Sequence, residues 1–288
     1  MTQQEHILTL SCPDRRGIVQ RVSGFIAESH ANILDLAQFS DLQTGRFFMR
    51  VHFVLENENT DTDVLRKSFG MLATTMKMQW DWHAAGRKSR VLLMASGEGH
   101  CLNDLLFRSQ NGLLPVHIVA VVSNHDRLRS LVDRYQRPFF CFPLNAGASR
   151  HERQRQEKKI SDIVHQGVDL LVLARYMQVL SAEFCEALPG KIINIHHSFL
   201  PGFRGARPYH QAHTRGVKLI GATAHFVTSD LDEGPIIEQD VIRVDHAMSP
   251  ETLAETGRDV ETVVLARAVK YFVEQRIFLN GAKTVVFR

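Results

Sequence analysis

Two polar residues stand two apart at the end of an apolar run, Asn194 and His196 in Lys191-Ile192-Ile193-Asn194-Ile195-His196. In an extended strand alternate side chains share a face, so both can act on one group. An amide resists hydrolysis until a donor stabilises the developing oxyanion and an acid protonates the leaving nitrogen. A neutral side-chain amide and an imidazole suit those two tasks. Downstream, the run around Ala224-His225-Phe226 reads as a strand and is followed by an acidic loop with Asp230, Asp232 and Glu233 before Gly234-Pro235 turns the chain. A carboxylate brought near His196 would raise the imidazole pKa and could accept a proton from an attacking water. All three acids are candidates. From these residues alone a structural reading is favoured: Asn194 caps a strand end, His196 is a hydrogen-bonded core histidine, and the acidic run is a solvated turn.

The frame that would hold these residues is legible in the pattern around them. Apolar runs at 91–95, 116–123, 169–174 and 191–196 alternate with helical stretches at 126–135 and 150–166, which implies parallel strands covered on both faces. The expected fold is a doubly wound, mostly parallel α/β domain, whose ligand crevice lies beyond the carboxyl ends of its strands. The loop Ser96-Gly97-Glu98-Gly99-His100 follows the first of these strands. It lacks the third glycine of a dinucleotide site, and Glu98 would repel a phosphate, so a tight turn is at least as good a reading. A long helix over 249–275 and an apolar tail at 284–287 end the sequence. The first 84 residues show a different order, strand, helix, strand, strand, helix, strand, the ferredoxin-like βαββαβ arrangement. We therefore expect a small domain over 1–84, a linker at 85–89 and a second domain over 90–288.

Composition narrows the function classes. Hydrophobic residues make up 44% and charged residues 23% of the 288, as in a globular protein with sizeable cores. The net charge of +3 comes from 34 basic and 31 acidic residues, so no whole-chain field calls for nucleic acid. Cys12, Cys101, Cys141 and Cys185 form no CxxC pair, which suits a reducing cytoplasm better than a disulfide framework or a zinc site. Neither a signal peptide nor a membrane anchor is expected at the N-terminus. His210-x-x-His213 could share a helical face, but no strong metal-ligand set accompanies it, and no metal is expected.

Taken together, Asn194-x-His196, Ser198-Phe199-Leu200-Pro201 and His225 followed seven positions later by Asp232 resemble the folate-dependent formyltransferase superfamily. The resemblance implies that Asn194, His196 and Asp232 are the catalytic set and that His225 supports them. It also implies that Arg175, Tyr176, Met177, Gln178, Val179 and Leu180 form one wall of a folate site, with Asp230, Glu233 and Gly234 on the other. Gln178 departs from the arginine common there, which matters little for a backbone contact. The run from Ile192 to Pro201, continued through Gly205-Ala206-Arg207-Pro208-Tyr209-His210-Gln211-Ala212, is most similar to the deformylase branch. That branch hydrolyses 10-formyltetrahydrofolate to formate and tetrahydrofolate, supplies formate for purine synthesis and needs no cofactor. Cys12-Pro13-Asp14-Arg15-Arg16-Gly17-Ile18-Val19 is similar to the first loop of an ACT domain, a regulatory module. The likeness implies an amino-acid effector at Asp14, Gly17 and Asn32 or an oligomer interface, and a homo-oligomer is expected.

Two further readings belong beside this one. A formyltransferase with an amine acceptor would be expected to hold a phosphate in the loop after the first strand, where Glu98, His100 and Cys101 stand. Methionyl-tRNA formyltransferase would need a further C-terminal domain, for which no room is expected. A non-catalytic amino-acid or folate sensor would not need Asn194, His196 and Asp232 intact. Arg204 and Arg207 are candidates for meeting a folate's glutamate tail.

Overall fold

The computed structural model describes residues 4–57, 60–145, 147–202 and 208–288. These divide into two compact units. The first takes the chain up to Arg87 with Glu274–Phe278 and Val285–Arg288, and the second takes Lys88–Val273 with Leu279–Thr284.

In the first unit β1 (Glu5–Pro13), α1 (Ile18–Glu28), β2 (Ala31–Asp41), β3 (Arg46–Leu55), α2 (Thr62–Met76) and β4 (Gln79–Ala84) follow one another. The sheet order is β2-β3-β1-β4, antiparallel throughout. Leu8 and Leu10 on β1 and Met49, Val51 and Phe53 on β3 alternate toward one face. Ile18, Val22 and Ile26 of α1 and Phe69, Ala73 and Met76 of α2 cover it at helical spacing. Asp61 caps α2, its carboxylate accepting from the Asp63 and Val64 amides. Gly17, at φ +92°, starts α1 in a conformation that other residues adopt only under strain.

The expected assignment of everything from 90 to 288 to the second unit does not describe the tail. The Phe278 ring packs edge-on against Phe48, 5.8 Å between centroids. Buried Arg50 donates from Nε to the Glu274 carbonyl at 3.1 Å and from Nη1 to Asp35 at 3.0 Å. Residues 274–278 thus satisfy the side of β3 turned away from its helices.

The second unit contains β5 (Ser89–Ala95), α3 (His100–Gln110), β6 (Val116–Ser123), α4 (Arg129–Arg134), β7 (Phe139–Cys141), α5 (Arg150–Val164), β8 (Leu170–Leu173) and α6 (Ala182–Glu186). Then follow β9 (Ile192–His196), α7 (Pro208–Arg215), β10 (Leu219–Phe226), β11 (Ile236–Arg243) and α8 (Pro250–Val273), before β12 (Ile277–Asn280) and β13 (Lys283–Val286) pair as a hairpin. The large sheet has the order β11-β10-β9-β8-β5-β6-β7. β9 through β7 are parallel, whereas β10 runs against β9 and β11 against β10. The chain moves outward from β5 to β7, then returns to place β8 on the other side of β5. That reversal makes the carboxyl ends of β5 and β8 the switch point where a crevice opens.

Candidate active site

Asn194 and His196 share a face of β9, as alternation requires. His225 on β10 lies opposite Asn194, and Asn194 Nδ2 donates to His225 Nε2 at 3.2 Å. His225 Nδ1 donates to the Phe226 carbonyl at 2.8 Å, which sets the plane of the ring. Because β10 is antiparallel to β9, its end lies beside the beginning of β9, and the following loop must double back to approach His196. Asp232 stands there at φ +57°, in the left-handed region that aspartate tolerates better than most residues. Its Oδ2 is 3.3 Å from His196 Nδ1, and its Oδ1 is 3.6 Å from His225 Nε2. The contact with His196 holds the Asp232 carboxyl far below the usual carboxylate range against the opposing effect of burial. His196 is 5% exposed, and its Nε2 has no hydrogen-bond partner among the described residues. The structure therefore brings the four residues together, with one imidazole nitrogen engaged and the other left over.

All four line a cavity of about 860 Å³. Arg175, Tyr176, Met177, Gln178, Val179, Leu180 and Asp230 line it too, whereas Glu233 and Gly234 do not. Those two turn back toward β10: the Glu233 amide donates to the Asp230 carbonyl at 3.4 Å, and a Cβ on Gly234 would overlap the Phe226 carbonyl. The stretch after β8 is pinned from β5. The Ser96 amide donates to the Arg175 carbonyl at 3.1 Å, and the Met177 amide donates to Ser96 Oγ at 2.9 Å. Ser96 Oγ in turn donates to Asn124 at 2.7 Å. The glycine-rich loop after β5 is thus a bracket for its neighbour, and its Glu98 lies 3.5 Å from Arg258.

The profile of the formyl transferase family matches residues 89–269, and that of the ACT domain matches residues 6–67. The chain belongs to the formyl transferase family. A formyltetrahydrofolate deformylase of Corynebacterium sp. (strain P-1) is 47% identical over 287 residues, covering 99% of each chain. One of Bacillus subtilis (strain 168) is 46% identical over 282 residues, covering 97% of this chain and 93% of its own. The crystal structure of a formyltetrahydrofolate deformylase from Burkholderia mallei ATCC 23344 is 50% identical with a TM-score of 0.92, covering 99% of this chain and all of that one.

One cluster beside this site was not anticipated from sequence. Glu261, 1% exposed on α8, accepts from His100 Nε2 at 2.8 Å and from the Tyr209 hydroxyl at 2.7 Å, and lies 3.4 Å from Arg175 Nε. Burial acts to raise its carboxyl pKa, but the His100 hydrogen bond, the Arg175 charge and the Tyr209 hydroxyl outweigh it and the net shift is downward. A signal was present, since an acid sits inside the otherwise small or apolar stripe of Gly257, Val260, Val264, Leu265 and Ala268. His197, next to His196, has its pKa lowered to about 4 by burial and then by Arg175.

Among the described residues one group of three potential metal ligands comes together, His100, Cys101 and Glu261. The Arg175 guanidinium beside that carboxylate opposes a cation there. His210 lines the cavity without joining that group. Arg204 and Arg207 lie outside the described residues. In the first unit Asp14 and Asn32 are exposed, the Asp14 amide donating to the Gly45 carbonyl at 2.8 Å and Asn32 pairing with Val54 in the sheet. Cys12, Cys101, Cys141 and Cys185 are free thiols, and no helix among the described residues is long and apolar enough to cross a membrane.

Proposed function

We propose that this member of the formyl transferase family hydrolyses 10-formyltetrahydrofolate to formate and tetrahydrofolate. The observation that carries this reading is the meeting of Asn194, His196 and Asp232 on one cavity wall, with Asp232 3.3 Å from His196. The deformylase names of the relatives agree with it. In the reaction a water oxygen bonds to the formyl carbon and the bond from carbon to N10 breaks. One proton of the water ends on N10 and the formic acid gives up another.

Asp232, ionised at any working pH, orients the water and takes up its proton, and His196 gives its own to N10. Asn194 and the protonated His196 stabilise the oxyanion. His196 Nε2 is the nitrogen free to serve the substrate, because Nδ1 faces Asp232. His225 keeps Asn194 in place through their 3.2 Å hydrogen bond. We assign the pterin to the wall formed by residues 175–180 and by Asp230. Met177, Val179 and Leu231 leave 58%, 59% and 64% of their surface exposed around the cavity, apolar area that a flat ring would cover. Glu233 and Gly234 shape the loop from behind.

Asn194, His196 and Asp232 suffice for this chemistry, and we read it as needing neither cofactor nor metal. Water is the acceptor in this reading because the loop after β5 presents Glu98 to the cavity, where its charge would repel an acceptor's phosphate, and His100 is held by Glu261. We assign the first unit a regulatory role, with an amino-acid effector near Asp14, Gly17 and Asn32. The test is product analysis of the purified protein with 10-formyltetrahydrofolate, with and without glycinamide ribonucleotide. Formate in equal amount under both conditions supports hydrolysis. A formylated amine, with no formate when the amine is omitted, rejects it.

A further inference from the structure

Glu261 takes no part in the chemistry above, yet it is the most enclosed carboxylate of the site. It sits on the inner stripe of α8, where an ion costs several kcal/mol unless its lone pairs are met. Two groups meet them by hydrogen bonds, the His100 ring and the Tyr209 hydroxyl, and the Arg175 guanidinium adds its charge from 3.4 Å; the three come from separate segments. His100 begins α3 beyond β5, Arg175 follows β8 at φ +65°, and Tyr209 lies on α7 beyond β9. One turn earlier on the same helix face is Gly257, where a Cβ would overlap the Tyr209 ring. A glycine at 257 and a carboxylate at 261 together seat that tyrosine against the helix.

Two of the three partners, Arg175 and Tyr209, line the cavity with Glu261 itself. Arg175 also begins the wall whose backbone Ser96 pins, so its main chain is held from β5 and its side chain from α8. The ring of His197 is 5.2 Å from His196 and 6.3 Å from Tyr209, which places the cluster next to the reacting imidazole. Without the carboxylate, the Arg175 guanidinium would be a largely enclosed, uncompensated cation beside His197.

We infer that Glu261 is a positioning residue for the proposed hydrolysis: through Arg175 and Tyr209 it holds the folate wall and the His196 side of the cavity in register. This rests on the assigned activity, and the test separates the two. The kcat and KM for 10-formyltetrahydrofolate are measured for the wild type, Glu261→Gln, Arg175→Met and the double variant, with thermal melting to confirm folding. Glu261→Gln is expected to lose roughly ten- to hundredfold in kcat/KM, the scale on which a small misplacement acts. Its KM should rise, which a smaller folded fraction would not cause. Arg175→Met in the Glu261→Gln background should recover part of the loss, because it removes the stranded charge.

Additive losses in the double variant, or a fall in kcat matched by loss of folded protein with KM unchanged, would overturn the inference. A wild-type protein that releases no formate would defeat the assigned reaction instead. Affinity for tetrahydrofolate across the same four proteins then decides the role of Glu261. A weaker Glu261→Gln with partial recovery in the double variant supports it, and equal affinities overturn it.

Discussion

At the scale of single residues, the site consists of groups whose unused atoms matter as much as their bonds. Asn194 has one amide hydrogen committed to His225, and the other is available to an oxyanion. Asn194→Ala should therefore lower kcat/KM by about 2.7 to 4 kcal/mol of barrier, the range for loss of one oxyanion donor, with the melting temperature nearly unchanged. Turnover near the wild-type value would remove Asn194 from its role. The pair Asn194 and His196 was legible as chemistry because alternation puts both on one face. Asp232 was not separable from Asp230 and Glu233 by residue type. Only its left-handed backbone and its distance to His196 distinguish it, together with the resemblance that singled it out. Glu261 was missed because a buried acid on a helix becomes informative only once its partners from other segments are in place.

At the scale of elements, strands with a continuous apolar run were readable, including the short β8 and β9, and the shortest elements were not. β3 and β6 run over 46–55 and 116–123 as the residue pattern suggests, since β-branched and aromatic runs of that length admit little else. β7, with three residues, and α6, with five, carry too little periodicity. The terminal hairpin had a signal in Asn280-Gly281, with Gly281 at φ +64° between β12 and β13. The rule placing ligands at the carboxyl ends of parallel strands found the stretch after β8. It could not foresee the loop after β10, which leaves an antiparallel strand and doubles back. That return depends on Gly234, whose missing Cβ lets the loop lie against the Phe226 carbonyl. Gly234→Ala should displace Asp232 and reduce kcat by on the order of a hundredfold while folate still binds, as kinetics beside a binding titration would show. Unchanged kcat would mean that the loop tolerates the shift.

At the scale of the whole molecule, the length of 288 residues and the change of element order after residue 84 indicated two packed units, and the sheet patterns indicated their folds. The distribution of the tail was not legible, because the fit of Phe278 and Glu274 to β3 is a tertiary match between distant parts of the chain. Buried histidines in both units make stability depend on pH. Burial, then Arg66, lowers the His6 pKa in the first unit, and burial, then Arg175, lowers that of His197 to about 4 in the second, each from an ordinary 6.5. The unfolded chain therefore binds more protons below pH 6.5 than the folded one. Stability should be fully present above that value and decline as pH falls through the window, down to about 4 for His197. Denaturant melts between pH 8 and 4 should show that decline. A flat profile for the wild type would contradict it, as would an unchanged slope in His6→Leu.

The most direct measurement is formate release from 10-formyltetrahydrofolate with no acceptor present, for the wild type and for Asp232→Asn side by side. The proposed mechanism requires one formate per folate consumed by the wild type, and almost none from a variant that is folded and still binds folate. Equal release by the two proteins would contradict the role given to Asp232. No release by the wild type would contradict the assigned hydrolysis itself.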